Sequence, residues 1–179
     1  MIKVTGITDL KDMTLYIATN EKPFIASSYY MIKDELLNKS IPCEVIETLI
    51  LPCADMDLLP KGVSIKSVEK CGFNLESVLY LAKVKILKNL HQPIMAFSLV
   101  TPAKYDDIKN IITNADPRDS MILGVIRGTE IIQKDLPDEL SNLAPLWKNG
   151  KAINQNGVPL MIDYRNFREY PNIGIFGGA

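Results

Sequence analysis

The chain runs to 179 residues, 47% hydrophobic and 23% charged, which suits one domain of moderate size or a domain with part of a second. Its formal net charge is −1, so no bulk positive field marks it for nucleic acid or an anionic membrane, and any DNA contact has to come from a local patch. No apolar run is long enough to span a bilayer, and Met1-Ile-Lys-Val-Thr-Gly6 lacks the charged-then-apolar order of a signal peptide, so the expectation is a cytoplasmic protein with no membrane partner.

The first half is rich in strand signals. Asp12–Thr19 and Ser27–Lys33 alternate loosely and are full of β-formers, and Ile41–Leu51 carries a long β-branched stretch. Residues 52–74, holding Pro60-Lys-Gly62 and Cys71-Gly72, are broken by turn residues and read as a loop with at most one short strand. Ser77–Leu87 is the clearest strand, alternating from Ala82 onward. Five or six strands with no helix between them imply a small antiparallel sheet closed into a barrel over residues 1–100.

After Pro93 the pattern changes. Thr101 reads as a helix cap with Pro102 in the first turn, and Tyr105, Ile108, Ile111 and Ile112 fall on one helical face until Asn114 and Pro117 close the segment. Ser120–Arg127 reads as a strand, followed by a Pro-rich loop through Pro137, Pro145 and Trp147. Gly157–Asp163 reads as another strand, and Asn166–Tyr170 as a turn. Residues 101–170 are thus a helix, a connector and strands. Residues 171–179 are a last strand, Asn172-Ile-Gly-Ile-Phe176, running into Gly177-Gly178-Ala179.

Few residues carry chemistry. Cys43, Cys53 and Cys71 have spacings that match neither a zinc site nor a disulfide framework, and His91 has no Ser, Cys or acid at a recognisable distance, so neither a metal site nor a catalytic residue is expected. Glu44 and Glu47 are an odd strand step apart and should face opposite sides. Asp55 and Asp57 share a face only if their stretch is extended, and read as a solvated loop. Lys83 and Lys85 share a strand face, where they either touch nucleic-acid phosphates or form the solvated side of an amphipathic strand.

Glycines closing a buried strand are how a G-x-x-x-x-G-K-[ST] phosphate loop begins, and Gly177 and Gly178 would be its first positions. The run Leu123-Gly-Val-Ile-Arg-Gly128, Val158–Asp163 and Asn172–Gly178 resembles the approach to the nucleotide loop in HerA-type ATPases. These are hexameric DNA translocases of the RecA/FtsK-like class, whose chains open with a barrel similar to the N-terminal barrel of ATP synthase. The likeness is fullest over residues 120–178, partial over Tyr80–Ile112 and slight before that. It implies a mainly β chain: a small antiparallel barrel, one or two short helices and the first strands of an incomplete RecA-like core. Gly177 and Gly178 would bind cofactor only as the front of a Walker A loop, whose lysine and Ser/Thr, with the arginine finger, lie outside these residues. ATP and Mg are therefore implied for the full-length ATPase and none for this piece. The resemblance further implies a homo-oligomer, hexameric in the full-length protein, with double-stranded DNA and a nuclease as partners in DNA end processing. Two other readings stand beside it: a free-standing barrel that binds oligonucleotide or protein, and a small-molecule enzyme whose site is invisible in sequence.

Overall fold

A computed structural model describes residues 1–165 apart from 37, 56, 114, 142–144 and 155. The expected turn at 166–170, the terminal strand and Gly177, Gly178 and Ala179 lie outside the described residues. The chain divides into two units, Met1–Ile108 and Lys109–Ala179.

Six strands close a barrel in the first unit: β1 (Ile2–Val4), β2 (Thr14–Thr19), β3 (Tyr29–Asp34), β4 (Lys39–Leu51), β5 (Leu79–Ile86) and β6 (Leu99–Pro102). They pair antiparallel in the order β1-β2-β5-β4-β3-β6 and back to β1. Closure removes the unpaired edges that an open sheet would present. Because side chains alternate across a strand, Leu15 and Ile17, Tyr30 and Ile32, Ile41, Cys43 and Val45, and Ala82, Val84 and Ile86 fill one interior cluster. The odd positions of β5 face outward. Leu79 and Leu81 there join Ala18 and Leu51 in a second cluster, covered by Val68, Cys71 and Phe73.

That cover corrects the reading of residues 52–74 as loop, since Ile65–Lys70 forms a helix, α1. Ser64 and Ser67 each donate a backbone N–H to the other's hydroxyl at 3.1 Å, a reciprocal cap built with serine where Glu or Gln is usual. Gly72, at φ 80°, then takes the left-handed turn that ends the helix. Val68 is fully buried against Leu79 and Leu81, so tertiary packing holds a helix too short to stand alone.

Thr101 and Pro102 do not open the helix expected there. They are the end of β6, paired with Met31 and Tyr30, and the helix α2 (Tyr105–Ile112) begins later, where Asp107 accepts the Lys104 N–H at 2.9 Å. A missing proline N–H is as harmless at a strand end as at a helix start. Tyr105 and Ile108 of α2 are buried, while Ile111 is exposed.

The barrel also contains an internal repeat. Pro23-Phe-Ile-Ala-Ser-Ser28 and Pro93-Ile-Met-Ala-Phe-Ser98 enter β3 and β6 with the same turn. Ser27 (φ 63°) and Phe97 (φ 72°) are both left-handed. The Ser28 hydroxyl donates to the Ile25 carbonyl at 2.5 Å and the Ser98 hydroxyl to that of Met95 at 2.7 Å. The Ser27 N–H donates to the Val45 carbonyl and the Val45 N–H to the Ser28 carbonyl, as the Phe97 N–H donates to the Val4 carbonyl and the Val4 N–H to the Ser98 carbonyl. The unit β1-β2-turn-β3 is therefore repeated as β4-β5-turn-β6, around a pseudo-two-fold axis crossing the β2–β5 and β3–β6 pairs. Ser28→Ala and Ser98→Ala are each expected to lose about 0.5–1.5 kcal/mol, and, lying in separate turns with no shared partner, to add in the double variant. Urea denaturation of the three variants checks this.

The second unit holds two antiparallel strand pairs. β7 (Ser120–Val125) pairs with β10 (Pro159–Asp163), and β8 (Pro145–Lys148) pairs with β9 (Lys151–Asn154). The stretch read as a Pro-rich loop thus contains β8, a 3-10 turn over Glu130–Asp135 and the helix α3 (Asp138–Ser141). Thr129, fully buried, donates its hydroxyl to the Ile126 carbonyl at 2.5 Å and accepts the Val158 N–H at 2.8 Å. A Cβ on Gly157 would sit 2.6 Å from Val125 Cγ1, so only glycine closes this contact.

Candidate functional site

The outer face of β2, β5 and β4 carries the lysines singled out from sequence. Lys83 is half-buried and Lys85 exposed, and both point away from the barrel interior. Two rows of facing residues run across the sheet: Thr14, Lys85 and Glu44, then Tyr16, Lys83 and Glu47. Glu44 and Glu47 therefore share a face, which corrects the expectation from strand parity. A bulge between Val45 and Glu47 inserts Ile46 and reverses the alternation of everything after it. The same reversal carries Leu49 and Leu51 from the interior parity of Ile41, Cys43 and Val45 to the outer cluster. Each lysine thus has a carboxylate as its cross-strand neighbour, an arrangement that stabilises a sheet face and offsets its positive charge. Glu44 also faces Tyr29, whose phenol is pushed up by burial first and by that carboxylate second.

Above this face lies a groove of about 630 Å³. Its floor is Thr14, Tyr16 and Lys83; residues 7–10 of the β1–β2 connection make one wall and Lys61 with Gly62 the other. The two connections come from opposite ends of the barrel and meet where the Ile7 N–H donates to the Gly62 carbonyl at 3.2 Å and Gly6 bridges Val63. Gly6 permits the meeting, since a Cβ there would lie 3.2 Å from Tyr16 Cβ. The polar groups of the wall are partly committed. Asp9 accepts the N–H groups of Lys11 and Asp12 at 2.9 and 3.3 Å, and the Thr8 hydroxyl accepts the Ile94 N–H at 3.1 Å. The Lys61 and Lys83 ammonium groups make no ion pair among the described residues.

The remaining candidates lie elsewhere. His91 lines a cavity of about 280 Å³ with Lys39, Ile41 and Lys88. Asp55 accepts the Asp57 N–H at 3.2 Å in a local turn, so this pair is turn chemistry. Cys43 and Cys71 are buried free thiols, pushed up by burial to about 12 and about 11, and Cys53 is a half-buried free thiol. Among the described residues no group of three or more His, Cys, Asp or Glu could hold a metal ion, and no helix is long and apolar enough to cross a membrane. Gly177 and Gly178, the proposed start of a nucleotide loop, lie outside the described residues.

Lys61 and Tyr16 were not legible as site residues. Lys61 joins Lys83 in lining the groove only because the connection between β4 and β5 folds back over β2 and β5, and no sequence spacing announces that return. Among the residues that line the groove no nucleophile is paired with a base.

No family model matches the chain, and no curated protein matches it. The fold itself defines the class: a mainly β protein built on a closed six-stranded antiparallel barrel with a few short helices.

Proposed function

We propose that this chain is the non-catalytic N-terminal barrel region of a HerA-type DNA-translocating ATPase, serving ring assembly and the docking of a partner protein. The observation that carries the reading is the closed six-stranded barrel at the start of the chain, followed by a helix and then by strands holding the residues that resemble the approach to a nucleotide loop. In that setting ATP and Mg belong to the full-length hexamer, and Gly177 and Gly178 open its loop. Lining of a DNA channel by Lys83 and Lys85 is the weaker part of the proposal, because Glu47 and Glu44 face them and a phosphate contact needs uncompensated positive charge.

The test is the reading frame beyond Ala179 together with the mass of its product. Codons for a Gly-Lys-Ser/Thr run and a further ATPase-sized domain are expected, and light scattering of the full-length protein should return a hexamer. A stop codon after Ala179 overturns the proposal. The groove favours a second reading, a free-standing barrel that binds a protein segment, and that reading survives a stop codon.

A further inference from the structure

We infer that this chain exchanges barrel halves with a second copy of itself, giving a dimer of two barrels in which the first half of each chain closes with the second half of its partner. The inference concerns the barrel alone, so it does not depend on the ATPase reading.

The strand order carries it. One half is β1, β2 and β3 and the other β4, β5 and β6; within them only β1–β2 and β4–β5 pair, while β2–β5, β3–β4, β3–β6 and β1–β6 cross from one half to the other. Both neighbours of β3 and both neighbours of β6 therefore belong to the opposite half. Neither half can stand open, because the interior cluster takes Leu15, Ile17 and Ile32 from the first and Ile41, Val45 and Val84 from the second. The surface that a freed half exposes is thus the surface that a second copy's complementary half already fits, strand for strand. That is the occupant.

One short connection decides between the closed and the exchanged form. The halves are joined by a hairpin, where Asp34 faces Lys39 and the Asn38 N–H donates to the Glu35 carbonyl at 3.3 Å. Asn38 sits at φ 47°, a left-handed conformation that asparagine tolerates and a β-branched residue does not. Opening the hairpin gives up this turn and frees Asn38 from it, while the ladders and the interior cluster are rebuilt between chains. With those contacts equal in both forms, turn strain and protein concentration set the balance.

The test uses the whole chain carrying Lys33→Cys and Leu99→Cys, with Cys53→Ser to remove the one thiol that is not buried. Residues 33 and 99 are exposed cross-strand partners on β3 and β6, a spacing within disulfide reach. The protein is refolded from urea at high and at low concentration, separated by size with light scattering, oxidised, and run on a denaturing gel without reductant. The dimer fraction should rise with concentration, and its two chains should stay joined on the gel, since each 33–99 bond then spans two chains. In the monomer the same bond closes within one chain. Asn38→Val should raise the dimer association constant about twentyfold or more, because strain relieved at one turn is worth about fivefold and a dimer relieves two. Asn38→Gly, at ease at that φ, should form no more dimer than the parent. A parent chain that is monomeric at both concentrations overturns the inference. So does a dimer that the gel resolves into single chains, which is an association of closed barrels, and so does a folded Asn38→Val chain with the parent's dimer fraction.

Discussion

A Val84→Asp chain is expected not to fold, while Lys85→Gln, one residue along the same strand, should melt within about 0.5 kcal/mol of the parent. Val84 is fully buried in the barrel interior among Leu15, Ile17, Val45 and Ile86. A carboxylate there finds no cation and no donor set, and an uncompensated buried charge costs several kcal/mol, on the order of 3–5. Losing the buried valine adds about 1.5–3 kcal/mol, and since small domains have only about 5–15 kcal/mol in total, the combined cost consumes the whole margin of a domain at the lower end of that range. Lys85 points to solvent, and losing its charge removes only a cross-strand attraction to Glu44. Circular dichroism with a urea titration reads both. A cooperative transition for Val84→Asp close to that of the parent would mean that β5 does not face the interior with its even residues.

The contrast shows what could be read from letters alone. β2, β3, β4 and β5 announce themselves because their β-formers alternate, and their number and order make closure into a barrel the natural solution. The helix α1 is silent. Its cap uses Ser67 in place of an acid or amide, it spans Ile65–Lys70 only, and Pro60, Gly62 and Gly72 around it all read as turns. β6 is disguised because Thr101-Pro102 is as good a helix start as a strand end, and the β3 ladder decides between them. Strand parity misplaces Glu47 because one inserted residue, Ile46, flips every side chain after it. The repeat is different in kind. Pro, two apolar residues, Ala, any residue and Ser occur twice, but only the matched φ angles and hydrogen bonds show that two halves of a barrel are equivalent. The groove is least legible, because Lys61 and Lys83 come to line one groove only through the return of the connection between β4 and β5.

Burial of the cysteines sets the second large effect. The thiolate is the reacting species, and a thiol held at about 12 is ionised at about pH 8 to only about one part in ten thousand; one held at about 11, to about one in a thousand. Cys43 lies inside the barrel with its Sγ on the Tyr30 carbonyl at 3.5 Å, and Cys71 lies beneath α1 with its Sγ on the Val4 carbonyl at 3.5 Å. An aromatic disulfide reagent at about pH 8 should therefore take Cys53 first, with Cys71 reacting about a hundredfold and Cys43 about a thousandfold more slowly than an ordinary thiol that titrates near 9.0, unless urea is added. Three thiols reacting together in the absence of urea would mean that the second cluster and the barrel both open readily. The same burial fixes the sign of the alkaline response. An ordinary thiol titrates near 9.0, so from about there upward the unfolded chain releases protons that folded Cys43 and Cys71 retain. The unfolded state then binds fewer protons, and stability falls as pH rises through the window up to about 11–12, whereas below 9 the contribution is complete. The urea midpoint should accordingly drop between about pH 8 and about pH 10, and less steeply in a Cys43→Ala, Cys71→Ala chain, which has no thiol left to titrate in either cluster.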